Sequence, residues 1–264
     1  MNILFIGDIF GRPGRNTVKK LLKKCREEHG IQLVIANAEN MHHGNGVTED
    51  NLKEMQEAGV DFFTSGNHVW KDKSIIPFMD SKRMPMVRPA NYPEGVPGRG
   101  WRIIEGSLKQ RVLVINVMGR VFIPQHLDCP FRTIDRILKE NAHENLAAIF
   151  VDVHAEATSE KMALGHYLDG RVSAVIGTHT HVATADEYIL AKGTAYQSDV
   201  GFVGPVDSVI GAEKTAIIDH FLTQLPMKID VATGGPTVFN ATKIEIDDKT
   251  RKATGILPIR LYLD

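Results

Sequence analysis

The stretch Gly177-Thr178-His179-Thr180-His181 places two histidines two positions apart, directly after an apolar run over residues 172–176. That run predicts a short buried β-strand. Just beyond the end of a strand the chain can turn, so both imidazoles can face one point. Imidazole is the commonest metal-binding side chain, but a His-x-His pair in a polar loop also occurs without a metal. The pair by itself leaves both interpretations open.

Four other apolar segments also end in residues that bind metals. These residues are Asp8, Glu39 with Asn40, Asn67 with His68, and His154. Each has an ordinary alternative, since asparagine and aspartate are common in turns and a lone histidine often only forms hydrogen bonds. In open α/β sheets, however, ligands gather beyond the carboxyl ends of the strands. Their joint occurrence at strand ends therefore favours a metal site.

The set is large enough for two metal ions. It contains two carboxylates, two amides and four imidazoles, whereas one ion takes about four to six ligands. A bridging carboxylate would hold two ions roughly 3.5–4 Å apart, the separation used for in-line displacement at phosphorus. The set therefore contains enough ligands for a two-metal site of this kind.

The elements that must position these residues follow from the spacing of apolar side chains. The predicted strands cover residues 3–6, 33–36, 60–64, 101–105, 112–117, 147–153, 172–176, 188–190, 194–197, 239–246 and 255–261. A turn over residues 107–110 separates two of them, and the last two predict a hairpin. The predicted helices begin near Arg15 after a loop over residues 11–14, at the N-cap Thr48, near Asp72, at Pro130, at the cap Thr158 and at Thr215. Strands in both halves of the chain predict two packed sheets with helices outside.

Residues 84–100 are rich in proline, glycine and arginine, which excludes a regular helix or a central strand. A long ordered loop inside a compact domain is usually functional. We expect it at the rim of the site, where Arg88 and Asn91 would meet a phosphate group. The alternative is a simple connection between two halves of the fold.

Composition limits the class of protein. With 264 residues, 43% of them hydrophobic, the chain can bury a large core, and we expect one domain over residues 1–264. A net charge of −1 argues against binding nucleic acid through bulk positive charge. The basic run over residues 19–26 is typical of the solvated face of an amphipathic helix. Two cysteines fit a reducing compartment, and no apolar segment is long enough to span a membrane. We therefore expect a cytoplasmic protein that does not bind a membrane.

The strand-end motifs carry a family resemblance that covers essentially the whole chain. Gly7-Asp8, Gly66-Asn67-His68, His154 and the segment 177–181 resemble the signature of calcineurin-like metallophosphoesterases. Phe10 stands where that signature has its first histidine, Glu39-Asn40 replaces the usual Gly-Asp, and Thr178 precedes the last histidine pair in place of the usual pattern. These departures are similar to the YmdB-like 2′,3′-cyclic nucleotide phosphodiesterase subgroup, as are the stretches 88–91, 154–160 and 199–201. The resemblance implies a four-layer α-β-β-α sandwich of two mixed β-sheets flanked by helices.

The resemblance also implies a role for each residue of the set. It assigns Asp8, Asn40 and His181 to a first metal and Asn67, His154 and His179 to a second. Glu39 would bridge the two ions, and His68 would donate a proton to the leaving oxygen instead of binding metal. The family uses iron, manganese or other divalent ions, and the mixed nitrogen and oxygen ligands agree with iron first, with manganese or zinc as alternatives.

The implied reaction is the attack of a metal-bridging hydroxide on a phosphodiester, with 2′,3′-cyclic nucleotides as the best candidate substrates. A phosphomonoesterase has the same motifs. A regulatory metal-binding protein with incidental hydrolase activity is a third interpretation, and nucleic-acid binding ranks last because the overall charge is balanced. The oligomeric state is left open, although homo-oligomers are common among such enzymes.

Overall fold

The computed structural model describes residues 1–105 and 110–264. Its helices are α1 Gly11–Glu28, α2 Glu49–Glu57, α3 Pro130–Glu140, α4 Thr158–Leu168 and α5 Lys214–Thr223, with a short 3₁₀ helix at Lys73–Phe78. Its strands are β1 Asn2–Ile6, β2 Asp8–Ile9, β3 Leu33–Asn37, β4 Phe62–Thr64, β5 Trp101–Glu105, β6 Arg111–Met118, β7 Ala148–His154, β8 Ala174–Thr178, β9 Tyr188–Ile189, β10 Ala195–Gln197, β11 Phe202–Pro205, β12 Thr237–Ile246 and β13 Ala253–Leu263. None of the described helices combines the length and the apolar character needed to cross a membrane.

The strands form two mixed sheets. In the described part of the chain, the first sheet has seven strands in the order β2-β11-β12-β1-β3-β4, with β13 paired to β12, and the second has six in the order β5-β6-β7-β8-β10-β9. Strands β1, β3 and β4 are parallel, as are β6, β7 and β8. Parallel neighbours end at the same edge of a sheet, so residues that follow them lie close together.

The two sheets pack face to face because their strands alternate apolar side chains. Ile3 and Phe5 of β1 point into the layer between the sheets, where the Phe5 ring lies 4.8 Å from that of Phe150 on β7. Leu4 and Ile6 point outward and pack against α1 and α2. On the second sheet, the outer face packs against α3 and α4. The predicted four-layer α-β-β-α arrangement is confirmed.

Helix α1 begins at Gly11, four residues before the predicted start, so the predicted loop over residues 11–14 is wrong. Pro13 is tolerated in the first helical turn because its missing N–H would have no partner there. Gly14 lets the helix approach the first sheet, since a Cβ at this position would stand 2.3 Å from the Val203 carbonyl oxygen. The turn-like residues at the start of α1 thus serve close packing instead of a loop.

Most of the other predicted elements are present with small shifts at their ends. Thr48 caps α2 and accepts a hydrogen bond from the Asn51 N–H, as predicted. Thr158 is not a cap, because Ala157 occupies that position and Thr158 is the first helical residue. Strands β2 and β11 were not predicted, since β2 has only two residues and β11 is interrupted by glycine and proline. The predicted turn at residues 107–110 lies, apart from Gln110, outside the described residues.

Candidate metal centre

All eight residues of the strand-end set meet at one edge shared by both sheets. The first sheet supplies five of them, from positions that follow β1, β3 and β4: Asp8, Glu39, Asn40, Asn67 and His68. The second sheet supplies the other three, from the ends of β7 and β8: His154, His179 and His181. The register explains the convergence, because Ile6 pairs with Ala36, Asn37 with Thr64, and His154 with Thr178.

One group of ligand atoms surrounds Nε2 of His154. This nitrogen lies 2.9 Å from Asn67 Oδ1, 3.2 Å from Glu39 Oε1 and 3.1 Å from His179 Nδ1. A single N–H hydrogen cannot satisfy three acceptors, whereas a cation can. Ligand atoms of Glu39, His154 and His179 all lie within 4.8 Å of one another. The arrangement is that of a site for one metal ion.

A second group lies around Asp8. The Asp8 Oδ1 atom is 3.7 Å from His181 Nε2 and 3.3 Å from the amide nitrogen of Asn40. That amide nitrogen also lies 3.1 Å from His181 Nε2, so nitrogen instead of oxygen faces the group. The two ends of an amide have the same shape, and turning it over brings Oδ1 to the position that a cation requires.

Glu39 lies between the two groups. Its Oε1 contacts His154 Nε2 of one group and, at 3.3 Å, the amide nitrogen of Asn40 in the other. The carboxylate is completely buried, and its Oε2 accepts a hydrogen bond from the His68 backbone N–H. A carboxylate in this position can contact an ion in either group.

The three imidazoles provide a test of whether the site fits metal ions. Each donates the N–H that points away from the site to an acceptor: His154 Nδ1 to the Thr178 hydroxyl, His179 Nε2 to Glu156, and His181 Nδ1 to the Ile210 carbonyl oxygen. This leaves the other nitrogen of each ring facing the ligand groups. Metal-ligating histidines are held in this way, and the donor set of nitrogen and oxygen atoms suits first-row transition metals.

Gly66 leaves the space that the site needs. A Cβ at this position would stand 2.2 Å from Glu39 Oε2 and 2.3 Å from His154 Nε2. Any side chain here would therefore displace ligands. The glycine before Asn67 and His68 is required by this close approach.

His181 is packed between two aromatic rings. Phe202 stacks on it with ring planes 9° apart, and Phe10 meets it edge-on, both at 5.5 Å between centroids. Phe10 is the residue that replaces the first histidine of the resembled signature. In this chain the Phe10 ring packs against His181, whereas the signature has a histidine ligand at the position of Phe10.

The charges of the buried groups balance one another. Burial by itself would raise the pKa of Glu39, but the positive charge of His154 and the hydrogen bonds from His154 and His68 outweigh it and hold that pKa well below its usual range. Burial likewise opposes the charge of His154, but Glu39 raises its pKa to about 9. Burial, reinforced by the charge of His154, lowers the pKa of His179 to about 3. The proton on Nε2 of His154 thus lies among the atoms that would bind a cation.

His68 lies beside the ligand groups without entering them. Its Nδ1 is 2.8 Å from Asn40 Oδ1 and 3.3 Å from Glu39 Oε1, which directs the opposite nitrogen, Nε2, away from the carboxylate. The side chain is 29% exposed, whereas those of Glu39 and His154 are almost fully buried. A bound ester can therefore reach this ring.

The predicted phosphate contacts from Arg88 and Asn91 are wrong. The Arg88 guanidinium donates hydrogen bonds to the carbonyl oxygens of Pro89, Val96 and Pro97. The Asn91 amide donates to the carbonyl oxygens of Met118 and Asp128 and accepts from the Met118 N–H. These bonds occupy the donors of both side chains. Arg88 therefore holds the loop over residues 84–100 in shape, and Asn91 ties that loop to Met118 and Asp128.

Asp152 and Thr178 belong to the site although the strand-end pattern did not indicate them. The Thr178 hydroxyl donates to Asp152 Oδ1 at 2.8 Å, so it must accept from His154 Nδ1. Burial raises the pKa of Asp152 to about 7. The available signal was a carboxylate inside the apolar run 147–153, where an unpaired charge is costly.

The fold and the site first define a class. Two packed mixed sheets with paired ligand groups at their shared edge form an α/β sandwich of the metallophosphoesterase type. The sequence profile of the family described as YmdB-like protein matches residues 4–259, and the chain belongs to that family.

Relatives of known sequence and structure agree with this membership. The chain is 48% identical over 256 residues to the 2′,3′-cyclic-nucleotide 2′-phosphodiesterase of Bacillus subtilis strain 168, covering 97% of this chain and 95% of that protein. A hypothetical protein from Thermus thermophilus superposes with a TM-score of 0.91 at 43% identity, with 99% of both chains covered. A novel phosphatase from Mycoplasma pneumoniae superposes with a TM-score of 0.91 at 33% identity, covering 99% of this chain and 93% of that one. The predicted family and fold class are confirmed.

Proposed function

We propose that the protein is a two-metal phosphodiesterase that hydrolyses 2′,3′-cyclic nucleotides. The observation that carries the proposal is the position of Glu39 between two groups of ligand atoms. The name of the Bacillus subtilis relative supports the choice of substrate. Asp8, Asn40 and His181 would hold the first ion, and Asn67, His154 and His179 the second.

The metal is proposed to be iron, with manganese or zinc as alternatives, because the ligands mix imidazole nitrogens with carboxylate and amide oxygens. When bound, two such ions would offset the negative charge of the ester and lower the pKa of a water molecule. The ligands are held by the buried hydrogen bonds described above. These bonds fix the geometry for an attack in line with the leaving oxygen.

His68 is proposed as the general acid. In the reaction a water that has lost one proton to the solvent adds through its oxygen to phosphorus, the bond from phosphorus to O2′ breaks, and O2′ takes up a proton. His68 supplies that proton from Nε2, while the Glu39 carboxylate, 3.3 Å from Nδ1, holds the ring. The product is then a nucleoside 3′-phosphate. A general acid in this position contributes about 10²- to 10⁴-fold to the rate.

The test combines metal analysis with three substrates. The purified protein is analysed for metal, then assayed with 2′,3′-cyclic AMP, 3′,5′-cyclic AMP and a nucleoside monophosphate. We expect two ions per chain and the fastest turnover of 2′,3′-cyclic AMP to 3′-AMP. Faster hydrolysis of the monoester would instead identify a phosphomonoesterase, in keeping with the word phosphatase in the name of the Mycoplasma pneumoniae relative.

We also propose that residues 1–264 form one domain and that the protein acts in the cytoplasm. Strands from both ends of the chain pair directly, since β1 lies between β12 and β3. Cys25 and Cys129 are both free thiols, which fits a reducing compartment. Size-exclusion chromatography with light scattering would decide whether the proposed enzyme is a homo-oligomer.

A further inference from the structure

The loop that carries His179 and His181 is tied to a buried carboxylate that lies outside the proposed ligand set. Asp199 is 1% exposed. Its Oδ2 accepts hydrogen bonds from the Thr180 N–H at 3.0 Å and from the Thr180 hydroxyl at 2.8 Å. Its Oδ1 accepts from the Gly201 N–H at 2.8 Å. Thr180 is the residue between the two histidines, so its backbone and its side chain are both fixed to Asp199.

The two histidines need such a restraint. His179 has φ 99° and His181 has φ 63°, in the left-handed region that residues other than glycine rarely adopt. A segment with two such residues persists only when its surroundings determine it. Nothing between the two histidines is free to relax while Thr180 is held by two hydrogen bonds to one carboxylate oxygen.

Lys161 supplies the charge that keeps Asp199 in place. Its Nζ lies 2.8 Å from Asp199 Oδ2, and the lysine is 2% exposed. It projects from α4, the helix packed on the outer face of the second sheet. The backbone of Gly177 also packs closely against the lysine side chain, because a Cβ at this position would stand 2.9 Å from Lys161 Cδ. A buried ion pair adds little net stability, but movement of either partner would leave an uncompensated buried charge, so Lys161 and Asp199 hold each other in place.

We propose that Asp199, neutralised by Lys161, is the positioning residue for the imidazoles of both metal sites. It acts through Thr180, which holds His179 toward one ligand group and His181 toward the other. The inference rests on the proposed function, because it assigns one histidine to each ion. Its consequence is specific: loosening this loop weakens both metal sites together, although no ligand has been changed.

The experiment compares three conservative variants at two threonines. Thr180→Val removes the hydroxyl that bonds to Asp199, and Thr180→Ser restores it. Thr194→Val is the matched control, because the Thr194 hydroxyl likewise donates a hydrogen bond, but to the Val172 carbonyl oxygen near the start of β8. Metal affinity is measured by competition with a chromophoric chelator, using Co²⁺ so that the absorption spectrum also reports ligand geometry.

We expect Thr180→Val to weaken both sites by about 10-fold and to alter the Co²⁺ spectrum, in line with other residues that orient metal ligands. Thr180→Ser should return both readouts close to those of the unmodified protein. Thr194→Val should lower the unfolding temperature while leaving the affinity and the spectrum unchanged. Asp199→Asn, where it folds, should weaken both sites by about 10- to 100-fold.

Unchanged metal affinity in Thr180→Val would overturn the inference, as would weakening of one site alone. Activity of the unmodified protein separates this outcome from failure of the proposed function. An unmodified protein that binds two ions but hydrolyses none of the three esters contradicts only the proposed function. One that hydrolyses 2′,3′-cyclic AMP while Thr180→Val keeps normal affinity contradicts only the role of Asp199.

Discussion

At the scale of single residues, the metal centre contains two kinds of residue: those whose side chains would bind the ions, and those that orient these side chains. The binding residues could be predicted because their types are metal ligands and each directly follows an apolar run. Asp152, Thr178 and Asp199 could not, because aspartate and threonine are common everywhere and the Asp–Thr and Asp–Lys bonds that join them to the site span 19 to 38 residues of the chain. Asp199 belongs to the stretch 199–201 that resembles the family, but this resemblance assigns no role to its side chain. The orienting residues depend on contacts that no spacing in the sequence encodes.

Substitutions of His68 and of Glu39 should differ in their effects on metal content and on turnover. His68→Ala should keep two ions per chain and lower kcat for 2′,3′-cyclic AMP by about 10²- to 10⁴-fold, because only the proton donor is removed. Glu39→Ala should lose metal and activity together, since its carboxylate contacts both ligand groups. Metal content and kcat measured on the same preparations check both. His143→Ala is the control, because its side chain is 78% exposed, and normal turnover by His68→Ala would contradict the assignment.

Metal binding should release protons in a manner that depends on pH. Although burial opposes its charge, Glu39 raises the pKa of His154 to about 9, above the ordinary 6.5. In the metal-free protein this pair therefore stabilises the fold fully below about pH 6.5, and the contribution is lost as the pH rises through about 9. A cation must replace the proton on Nε2. Proton release on adding Mn²⁺, followed with an indicator dye, should decrease as the pH rises from about 8 to about 10.

The Glu39→Ala protein is the control for this titration, because it should bind little metal and release few protons. Proton release that stays constant over the same pH range would contradict the raised pKa of His154.

At the scale of elements, the strands were predicted more accurately than the segments that join them. Apolar runs such as 147–153 specify buried strands through composition alone. The start of α1 was misplaced because Gly-Arg-Pro-Gly is typical of a turn, and only the nearby β11 shows why a glycine is needed at residue 14. The loop over residues 84–100 was correctly predicted as irregular. The role of Arg88 was not, because an arginine that bonds to carbonyl oxygens has the same sequence signal as one that binds phosphate.

Gly66, which follows β4, should not tolerate replacement by a residue with a side chain. Gly66→Ala would place a carbon 2.2 Å from Glu39 Oε2 and 2.3 Å from His154 Nε2, so we expect loss of both ions and of hydrolysis. The secondary structure should survive, because Gly66 lies beyond the strand and its φ is not left-handed. Metal analysis and circular dichroism check the two expectations. Full metal content in this variant would show that the ligand groups lie further from β4.

At the scale of the whole molecule, the centre joins the two sheets. Five of its residues come from the first sheet and three from the second. Bound ions would therefore add a link between layers that otherwise meet through apolar packing and a few buried hydrogen bonds, such as those from Asn37 to Asp152 and from Thr242 to Gln197. Periodicity predicted two sheets with helices outside, but it could not predict which strands lie side by side. The pairing of β1 with β12, from opposite ends of the chain, depends on the assembled core.

Removing the metal should therefore lower the stability of the entire fold. A ligand that binds only the folded state stabilises it by about 2.7 kcal/mol at 100 times its dissociation constant. We expect a chelator to lower the unfolding temperature by several degrees and re-addition of the ion to restore it. The Glu39→Ala protein should show no such response. An unfolding temperature that does not respond to the chelator in the unmodified protein would contradict a link between the sheets.

Strand β13 has consequences for how molecules of this protein meet one another. It pairs with β12 from Ala253 to Leu263, and in the described residues no strand covers its far side. An uncovered edge strand of this length can pair with a strand of another molecule, which extends the sheet and begins an aggregate. Pro258 lies in the middle of β13, opposite Thr242, and has no N–H to offer. The row of donors is broken there, which protects the concentrated protein from stacking edge to edge.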